Sequence, residues 1–438
     1  MGDKGERWFY SYVPTNMAGG CFDTLLPVFV VLVLAGNVGD VALISVGTSA
    51  ASVPALIFWG RFTDSVRWRK HFVALGFLGR AVAYIFMGAS VVLGEFLFAS
   101  MLLGLLSAAS TPAISILIFE MFSRDKWSEK IGGFNNAAGI GTIAGIALGT
   151  LWLAFVPQVL GIIASLRLLF FINAALALLG AFLALILIIE PDEKLSREHF
   201  YEHVLQLKRW TYERARYLPS KMYRFFSIAH LRKLAHAHPI GKSYLPMYLV
   251  AVFIYNIGAI SFITIAPVFL LKEVLKEVNG NSTIVFFLSF AQALASTLLF
   301  KKMGQLSDRG DKRMLLITAK TARFALFIIY PAALPIALWN YQAALVFLTA
   351  VHMALGFTWA IIADTHLPIA VAAGSAEERG ALVGTFNAVV GVGAIAGSAV
   401  AGILALTIGS ALSLVLSAFF IIAAVAIIRL VVPTERVI

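Results

Sequence analysis

An aspartate stands in the middle of the first long apolar stretch of the chain. Asp23 lies four residues before Pro27, with apolar sequence on both sides. A charged side chain at the centre of a bilayer costs at least about 2.5 kcal/mol on insertion scales, so such a residue is a functional candidate by default. A carboxyl group in this position suits a proton carrier. The alternative is a paired aspartate near an edge of the span with no such role.

Other polar side chains accompany Asp23 inside the apolar stretches. His352 is a second candidate for a proton site, and a neutral histidine packed between helices is the simpler alternative. Arg80 and Arg323, the second with Lys320 one helical turn before it, either form an anion-attracting cavity wall or extend toward the membrane surface. The amides that are candidates for a polar cavity are Asn16, Asn135, Asn256, Gln292 and Asn387.

Two short polar segments share one spacing of glycine, aspartate and basic residues. In the first, Gly60 is followed four residues later by Asp64 and then by a basic cluster. In the second, Gly304 and Asp308 have the same spacing and also precede a basic cluster. Each segment lies between two stretches that are long enough to cross a bilayer. A single such aspartate would be a solvated loop residue in the simplest interpretation, but the repetition favours a shared role.

Apolar stretches dominate the rest of the sequence. The chain has 438 residues, 60% hydrophobic and 13% charged, whereas soluble domains are about half apolar and about a quarter charged. Recurring stretches of eighteen or more apolar residues indicate a polytopic helical membrane protein. We predict spans over residues 15–35, 40–59, 71–92, 95–120, 131–156, 166–189, 246–271, 283–303, 313–333, 341–364, 380–406 and 409–432.

The basic residues are distributed unevenly among the predicted loops. Loops after even-numbered spans carry clusters such as Arg67, Arg69 and Lys70, whereas loops after odd-numbered spans have few Lys or Arg. This bias follows the positive-inside rule and predicts that both chain ends lie in the cytoplasm. It also accounts for the net charge of +11 without nucleic acid as a partner, for which the chain lacks a basic and aromatic platform.

One long polar segment divides the chain into two halves. Residues 191–244 mix basic and aromatic side chains, among them Arg209 and Trp210. We predict a cytoplasmic linker between an N-terminal six-helix bundle (1–190) and a C-terminal six-helix bundle (245–438). Its composition is typical of a helix that lies on an anionic membrane surface, and a protein-binding role is the alternative.

The two halves repeat each other in sequence. Equivalent pairs are Asn16 and Asn256, Phe22 and Phe262, Pro27 and Pro267, Glu120 and Asp364, Asn135 and Asn387, and Gly141 and Gly393. Both halves begin on the same side of the membrane. The repeat is therefore parallel, about an axis along the membrane normal.

The two glycine–aspartate segments resemble the loop between the second and third helices of the major facilitator superfamily, which follows the pattern G-x-L-a-D-r-x-G-r-[RK]. The second segment fits better, with Leu306, Arg309 and Arg313 in place. Arg379 and Gly380 also resemble the E-R-G entry into span eleven of that family. The resemblance covers the chain apart from the linker. It implies an all-α membrane protein with twelve transmembrane helices in two pseudo-symmetric bundles.

The resemblance also implies a gate at the cytoplasmic side. In the family, the loop aspartate faces the N-terminus of a helix from the other half, where a carboxylate is favoured. Acids that end spans four and ten pair with the neighbouring basic loop, which implies Glu120 with Arg69 or Lys70 and Asp364 with Lys312 or Arg313. Isolated interfacial side chains are the alternative. The predicted gate residues are Gly60, Asp64, Arg69, Glu120, Arg124, Gly304, Asp308, Arg313, Asp364 and Arg379.

The function implied by the resemblance is secondary active transport of a small solute by alternating access. Asp23 makes proton coupling the expected energy source, as a symporter or an antiporter. Spans three and nine are outer helices in the family, which favours extension toward the membrane surface, or pairing with a neighbour, for Arg80 and Arg323. The alternatives are a non-transporting membrane sensor and a lipid-moving protein of the same fold. We expect a monomer in the plasma membrane, in contact with lipid, a small-molecule substrate and protons, with no enzyme activity, cofactor or metal.

Overall fold

The computed structural model describes residues 4–65, 69–121, 127–188, 244–276, 278, 281–373 and 379–433. This part of the chain is almost entirely helical, with a helix for every predicted span. We number the helices by span: α1 (Tyr12–Leu32), α2 (Val38–Ser65), α3 (Arg69–Ala89), α4 (Leu93–Ser107 and Ser110–Met121), α5 (Trp127–Phe155), α6 (Ile162–Leu187), α7 (Leu245–Phe269), α8 (Asn281–Arg309), α9 (Lys312–Ile329), α10 (Tyr341–Ala372), α11 (Arg379–Ile408) and α12 (Ser410–Val431).

The fourth span is interrupted, contrary to the continuous helix predicted for 95–120. Ala108 and Ala109 form a turn between its two segments. Pro112 has no N–H to donate to the carbonyl of Ala108 four residues earlier, so the helical ladder is broken at this point. For this reason the described chain contains 11 helices that are long and apolar enough to cross a membrane, with Leu93–Ser107 as a shorter apolar helix.

Several helices extend beyond the apolar segments that predicted them. Asp64 and Asp308 lie in the last turns of α2 and α8, not in loops, and Asp364 lies two turns before the end of α10. The three helices therefore continue past the predicted spans, which end at residues 59, 303 and 364. Hydropathy marks where a segment leaves the apolar layer, but backbone hydrogen bonding continues into water as long as the residues permit a helix.

The packing of the helices is the same in the two halves. In the first half, α1 packs on α5 and α6, α3 packs on α4 and α6, and α2 packs on α4. In the second half, α7 packs on α11 and α12, α9 packs on α10 and α12, and α8 packs on α10. Each pair in one list has its equivalent in the other, so the sequence repeat is a structural repeat.

Glycines permit the closest of these contacts. Gly141 of α5 lies against the Cβ of Asn16, and Gly393 of α11 lies against the Cβ of Asn256 in the equivalent place. Lipid is as apolar as the side chains, so helices in a membrane associate through close packing and not through the hydrophobic effect. Small residues permit that close approach. The glycine stripe of α5 therefore fixes the rotation of α1 about its axis, and with it the direction in which Asp23 points.

The two halves meet through α2 with α11 and through α5 with α8. Gly39 at the start of α2 lies against Leu406 near the end of α11. The hydroxyl of Thr283, at the start of α8, donates a hydrogen bond to the carbonyl of Leu153 near the end of α5, at 2.7 Å. All four residues lie at the end of the bundle where α1 ends, which we call the closed end.

Halfway along α5 and α11, two glycines have no neighbouring atoms close to them. A Cβ added to Gly139 of α5 or to Gly391 of α11 would have no atom within 4 Å. These two glycines are equivalent in the repeat. Among the described residues, the halves thus touch at the closed end and leave open space beside the middle of α5 and α11.

Candidate functional site

The least buried face of α1 carries Asp23. Asn16, Gly19, Asp23 and Leu26 recur at intervals of three or four residues and so lie on one face of the helix, while the flanking positions are mostly buried against α5 and α6. Asp23 is the exposed member of this face. Its carboxyl group is nevertheless surrounded by protein atoms. A group that is exposed although protein atoms surround it lies in a concave part of the surface.

A guanidinium group from α3 faces the same side of α1. The Nη1 atom of Arg80 lies 3.9 Å from the position of a Cβ built on Gly19, one helical turn before Asp23. Arg80 interacts electrostatically with Asp23, Tyr12 and Tyr84. Within the described chain no direct ion pair joins Arg80 to Asp23. The carboxylate therefore keeps lone pairs for a proton or a ligand.

The second half has no acid at the position equivalent to Asp23. That position is Ile263, which is exposed on α7. The arginine is retained: Arg80 and Tyr84 on α3 correspond to Arg323 and Phe327 on α9. The aromatic contact beside it is retained as well, because Phe22 packs on Tyr84 and Phe262 stacks on Phe327. The two halves thus share a scaffold and differ in charge.

A basic cluster is buried in the second half. Lys320 Nζ lies 2.9 Å from His366 Nε2 and 4.1 Å from the centre of the Tyr255 ring. The Arg323 guanidinium lies 5.7 Å from the ring centres of Phe327 and Trp359. Lys320, His366 and Arg323 are 0%, 7% and 2% exposed.

This buried cluster rules out the membrane-surface interpretation of Arg323 and adds Lys320 and His366 to the candidate site residues. Arg323 does not extend toward the membrane surface, because its side chain is enclosed and its Nε and Nη1 atoms have no hydrogen-bond partner in the described chain. Lys320 was noted only for its spacing from Arg323, and His366 was not singled out. Their contact depends on the packing of α9 against α10, and no local sequence pattern gives that packing.

The predicted amide residues lie on five different helices. The Nδ2 atoms of Asn16 and Asn256 each donate to a carbonyl of their own helix at 2.8 Å. Asn387 is exposed on α11, and Gln292 is half-buried on α8. The side chain of Asn135 lies outside the described residues. Asn16 shares its face with Asp23, whereas the others lie on four other helices.

His352 lies apart from Asp23, between α10 and the turn after α9. Its Nε2 atom is 3.0 Å from the hydroxyl oxygen of Tyr330, and the residue is 9% exposed. Tyr330 follows the last residue of α9 and so lies toward the closed end. The arrangement favours the packed neutral histidine over a proton site.

The predicted gate falls largely outside the described part of the chain. This holds for Arg124 and for the side chains of Asp64, Glu120, Asp308 and Arg379, and residues 191–243 of the predicted linker also lie outside it. The backbones of Gly60 and Gly304 lie within α2 and α8. Arg69, at the start of α3, is 5% exposed. The Arg313 side chain donates to the carbonyl of Arg429, and the pair of Asp364 with Lys312 or Arg313 stays a prediction.

Sequence comparison identifies one matching family. A sequence model of the Major Facilitator Superfamily matches residues 9–375. A comparison with curated proteins gives no match.

Solved transporters share the fold over nearly the whole chain. The nucleoside transporter NupG superposes with a TM-score of 0.71 at 13% identity and covers 99% of this chain and 100% of its own. A bacterial homolog of the human lysosomal transporter Spinster, in an inward-facing unoccupied conformation, gives 0.70 at 13%, with 98% and 97% covered. A POT family transporter in complex with 5-aminolevulinic acid gives 0.69 at 12%, with 97% and 95% covered. At such identities the likeness shows the fold alone.

Proposed function

Because the chain belongs to the Major Facilitator Superfamily, we propose that it is a secondary active transporter that couples the movement of a small solute to protons through Asp23. The proposal depends on the exposed carboxyl group of Asp23, halfway along α1, in a bundle whose halves meet at one end. A pore-like or enzymatic role requires neither feature. Among the described residues no cluster of three or more metal-ligating side chains is found.

Alternating access follows from the arrangement of the halves. The contacts at the closed end join α2 to α11 and α5 to α8, and they break if one half rotates against the other. The loop charges assign the cytoplasm to the end where α1 begins. With that orientation the closed end faces outward.

Asp23 supplies the proton step in this proposal. When the carboxyl group is ionised, it interacts with Arg80 across the cavity. When it binds a proton, that attraction is lost, and the charge of the Asp23 side chain changes from −1 to 0 while Arg80 keeps its positive charge. A solute with a hydrogen-bonding or cationic group prefers one of these two states, which is what coupling requires.

The solute class is proposed from chemistry and from the neighbours. The cavity face of α1 offers a carboxylate and the Asn16 side chain, which suit small polar molecules. The structural neighbours include transporters described as acting on nucleosides and peptides, and one in complex with 5-aminolevulinic acid. These compounds form the first test panel.

The remaining parts of the proposal concern the linker and the cell membrane. We propose a monomer in the plasma membrane with residues 1–190 and 245–438 as the two moving halves and 191–244 as a cytoplasmic linker on the lipid surface. The alternative function is a membrane sensor that signals through the linker. It differs in that deleting 195–240 abolishes function, whereas changing Asp23 has no effect.

The experiment is a proton-flux assay in proteoliposomes. Purified protein is reconstituted with a pH-sensitive dye inside, and nucleosides, dipeptides, amino acids and 5-aminolevulinic acid are added outside in turn. We expect at least one compound class to produce a protein-dependent change of internal pH. Uptake of a radiolabelled compound without any proton movement would contradict the coupling, and the absence of uptake for the panel and for a broader metabolite mixture would contradict transport.

A further inference from the structure

Two basic side chains are in direct contact in the interior of the second half. Lys320 and His366, on α9 and α10, are joined by the contact of 2.9 Å described above. A hydrogen bond between two nitrogens needs one donor and one acceptor. A protonated lysine and a doubly protonated histidine are both donors only. The contact therefore excludes the state in which both groups are charged.

Within the described chain, the groups that face the pair include a further cation and two tyrosines. Arg323 lies one helical turn along α9, and Tyr255 and Tyr248 face the pair from α7. From α11 the neighbour is Phe386, whose ring centre lies 5.5 Å from that of His366. Asp364, two residues before His366 on α10, forms no ion pair with Lys320 or Arg323 among the described residues. An additional positive charge in this cluster is therefore strongly disfavoured while the contact persists.

The contact lies at a weak point of α10. Pro368 stands inside this helix and has no N–H to donate to the carbonyl of Asp364 four residues earlier. Missing bonds of this kind are among the few identifiable causes of helix bending. His366 lies between these two residues. Its contact with Lys320 joins the terminal segment of α10, from His366 to Ala372, to α9. On the α7 side, the hydroxyls of Tyr248 and Tyr244 donate to the carbonyls of His366 and Ile369.

We propose that Lys320 and His366 form a second proton-binding site, whose occupation by one more proton releases the terminal segment of α10 from α9. The proton comes from water on the side where α10 ends and adds to the neutral member of the pair. Because the contact excludes the doubly charged state, the conformation that keeps it binds fewer protons than the conformation that lacks it, and pH shifts their populations. The inference rests on the proposed transport function for its purpose, but its test needs no solute.

The test is a distance measurement by electron paramagnetic resonance in lipid nanodiscs. Spin labels are placed by Met314→Cys at the start of α9 and Ala372→Cys at the end of α10, both exposed positions, in a Cys21→Ser background. We expect the distance between the labels to lengthen reversibly as the pH is lowered. His366→Gln keeps an acceptor for Lys320 but cannot titrate, so the short distance should persist at every pH.

Two further variants complete the design. Lys320→Met removes the partner of His366, so the longer distance should be present at every pH and report release without a proton. His352→Gln changes the other buried histidine of α10 and should leave the wild-type titration intact. A wild-type distance that does not change with pH, or an unchanged titration in His366→Gln, would overturn the proposal. Asp23→Asn should titrate normally here, which separates this site from the coupling proposed for Asp23.

Discussion

Replacing Gly145 by alanine tests the contact that orients α1. A Cβ on Gly145 would lie 2.6 Å from the carbonyl carbon and 2.8 Å from the Cα of Met17. These are backbone atoms and cannot rotate away, so α1 and α5 must separate. Overpacking costs about 1–3 kcal/mol, and a backbone clash belongs at the upper end. Alanine regains about 0.5–1 kcal/mol over glycine in a helix, so the expected net loss of stability is about 2 kcal/mol.

Two other glycines provide matched controls for this change. Gly139→Ala, on the same helix, meets no atom within 4 Å and should stabilise by about 0.5–1 kcal/mol through helix propensity alone. Gly397→Ala, at the position equivalent to Gly145, brings a Cβ to 2.8 Å from the carbonyl oxygen of Ile257. The stability of this variant should lie between those of the other two, because its new Cβ is too close to fewer backbone atoms than in Gly145→Ala.

The assay is the apparent unfolding temperature of purified protein in one detergent at one heating rate, since unfolding of such proteins is a rate process. For a chain of this size, a loss of about 2 kcal/mol corresponds to a decrease of about 2–4 °C. We expect the lowest unfolding temperature for Gly145→Ala, an intermediate one for Gly397→Ala and the highest for Gly139→Ala. Equal unfolding temperatures for the Gly145 and Gly139 variants would refute the helix contact as described.

Two further outcomes test the conformation and the topology. Thr283→Val removes the hydrogen bond to Leu153 across the closed end, which contributes about 0.5–1.5 kcal/mol in this conformation only. The population should therefore shift roughly two- to tenfold toward the opposite state, measured as label distances across the closed end. Thr349→Val, which removes a hydrogen bond within α10, should not shift the population. Ser196→Cys in a Cys21→Ser background should resist a membrane-impermeant thiol reagent in intact cells, and efficient labelling there would reverse the predicted orientation.

Much of the fold is predictable from the sequence, and the reasons are physical. A segment that crosses a bilayer must satisfy its backbone polar groups internally, so long apolar segments become helices. The repeat of Asn16 with Asn256 and of Gly141 with Gly393 indicates from sequence alone which helices of the two halves correspond. The helix ends were less predictable. Hydropathy falls at Asp364, but the helix continues to Ala372.

The charged residues of the site were also predictable only in part. Asp23 was identifiable because a carboxyl group inside an apolar segment is costly wherever the helix points. Its exposed face was not identifiable, since it depends on how α5 and α6 cover the rest of α1. The Lys320–His366 contact joins positions 46 residues apart on separate helices, and only tertiary packing brings them together.

Transport by the Asp23→Asn variant tests the central claim most directly. Asparagine is close in size to aspartate but binds no proton, so uptake driven by a pH gradient should be lost in proteoliposomes. Exchange of the same solute at equal concentrations on both sides should survive, because exchange needs no net proton movement. Asp40→Asn, which changes a carboxylate at the closed end that accepts from the Asn37 backbone, is the control and should retain both activities. Uphill transport driven by a pH gradient in the Asp23→Asn variant would contradict the account.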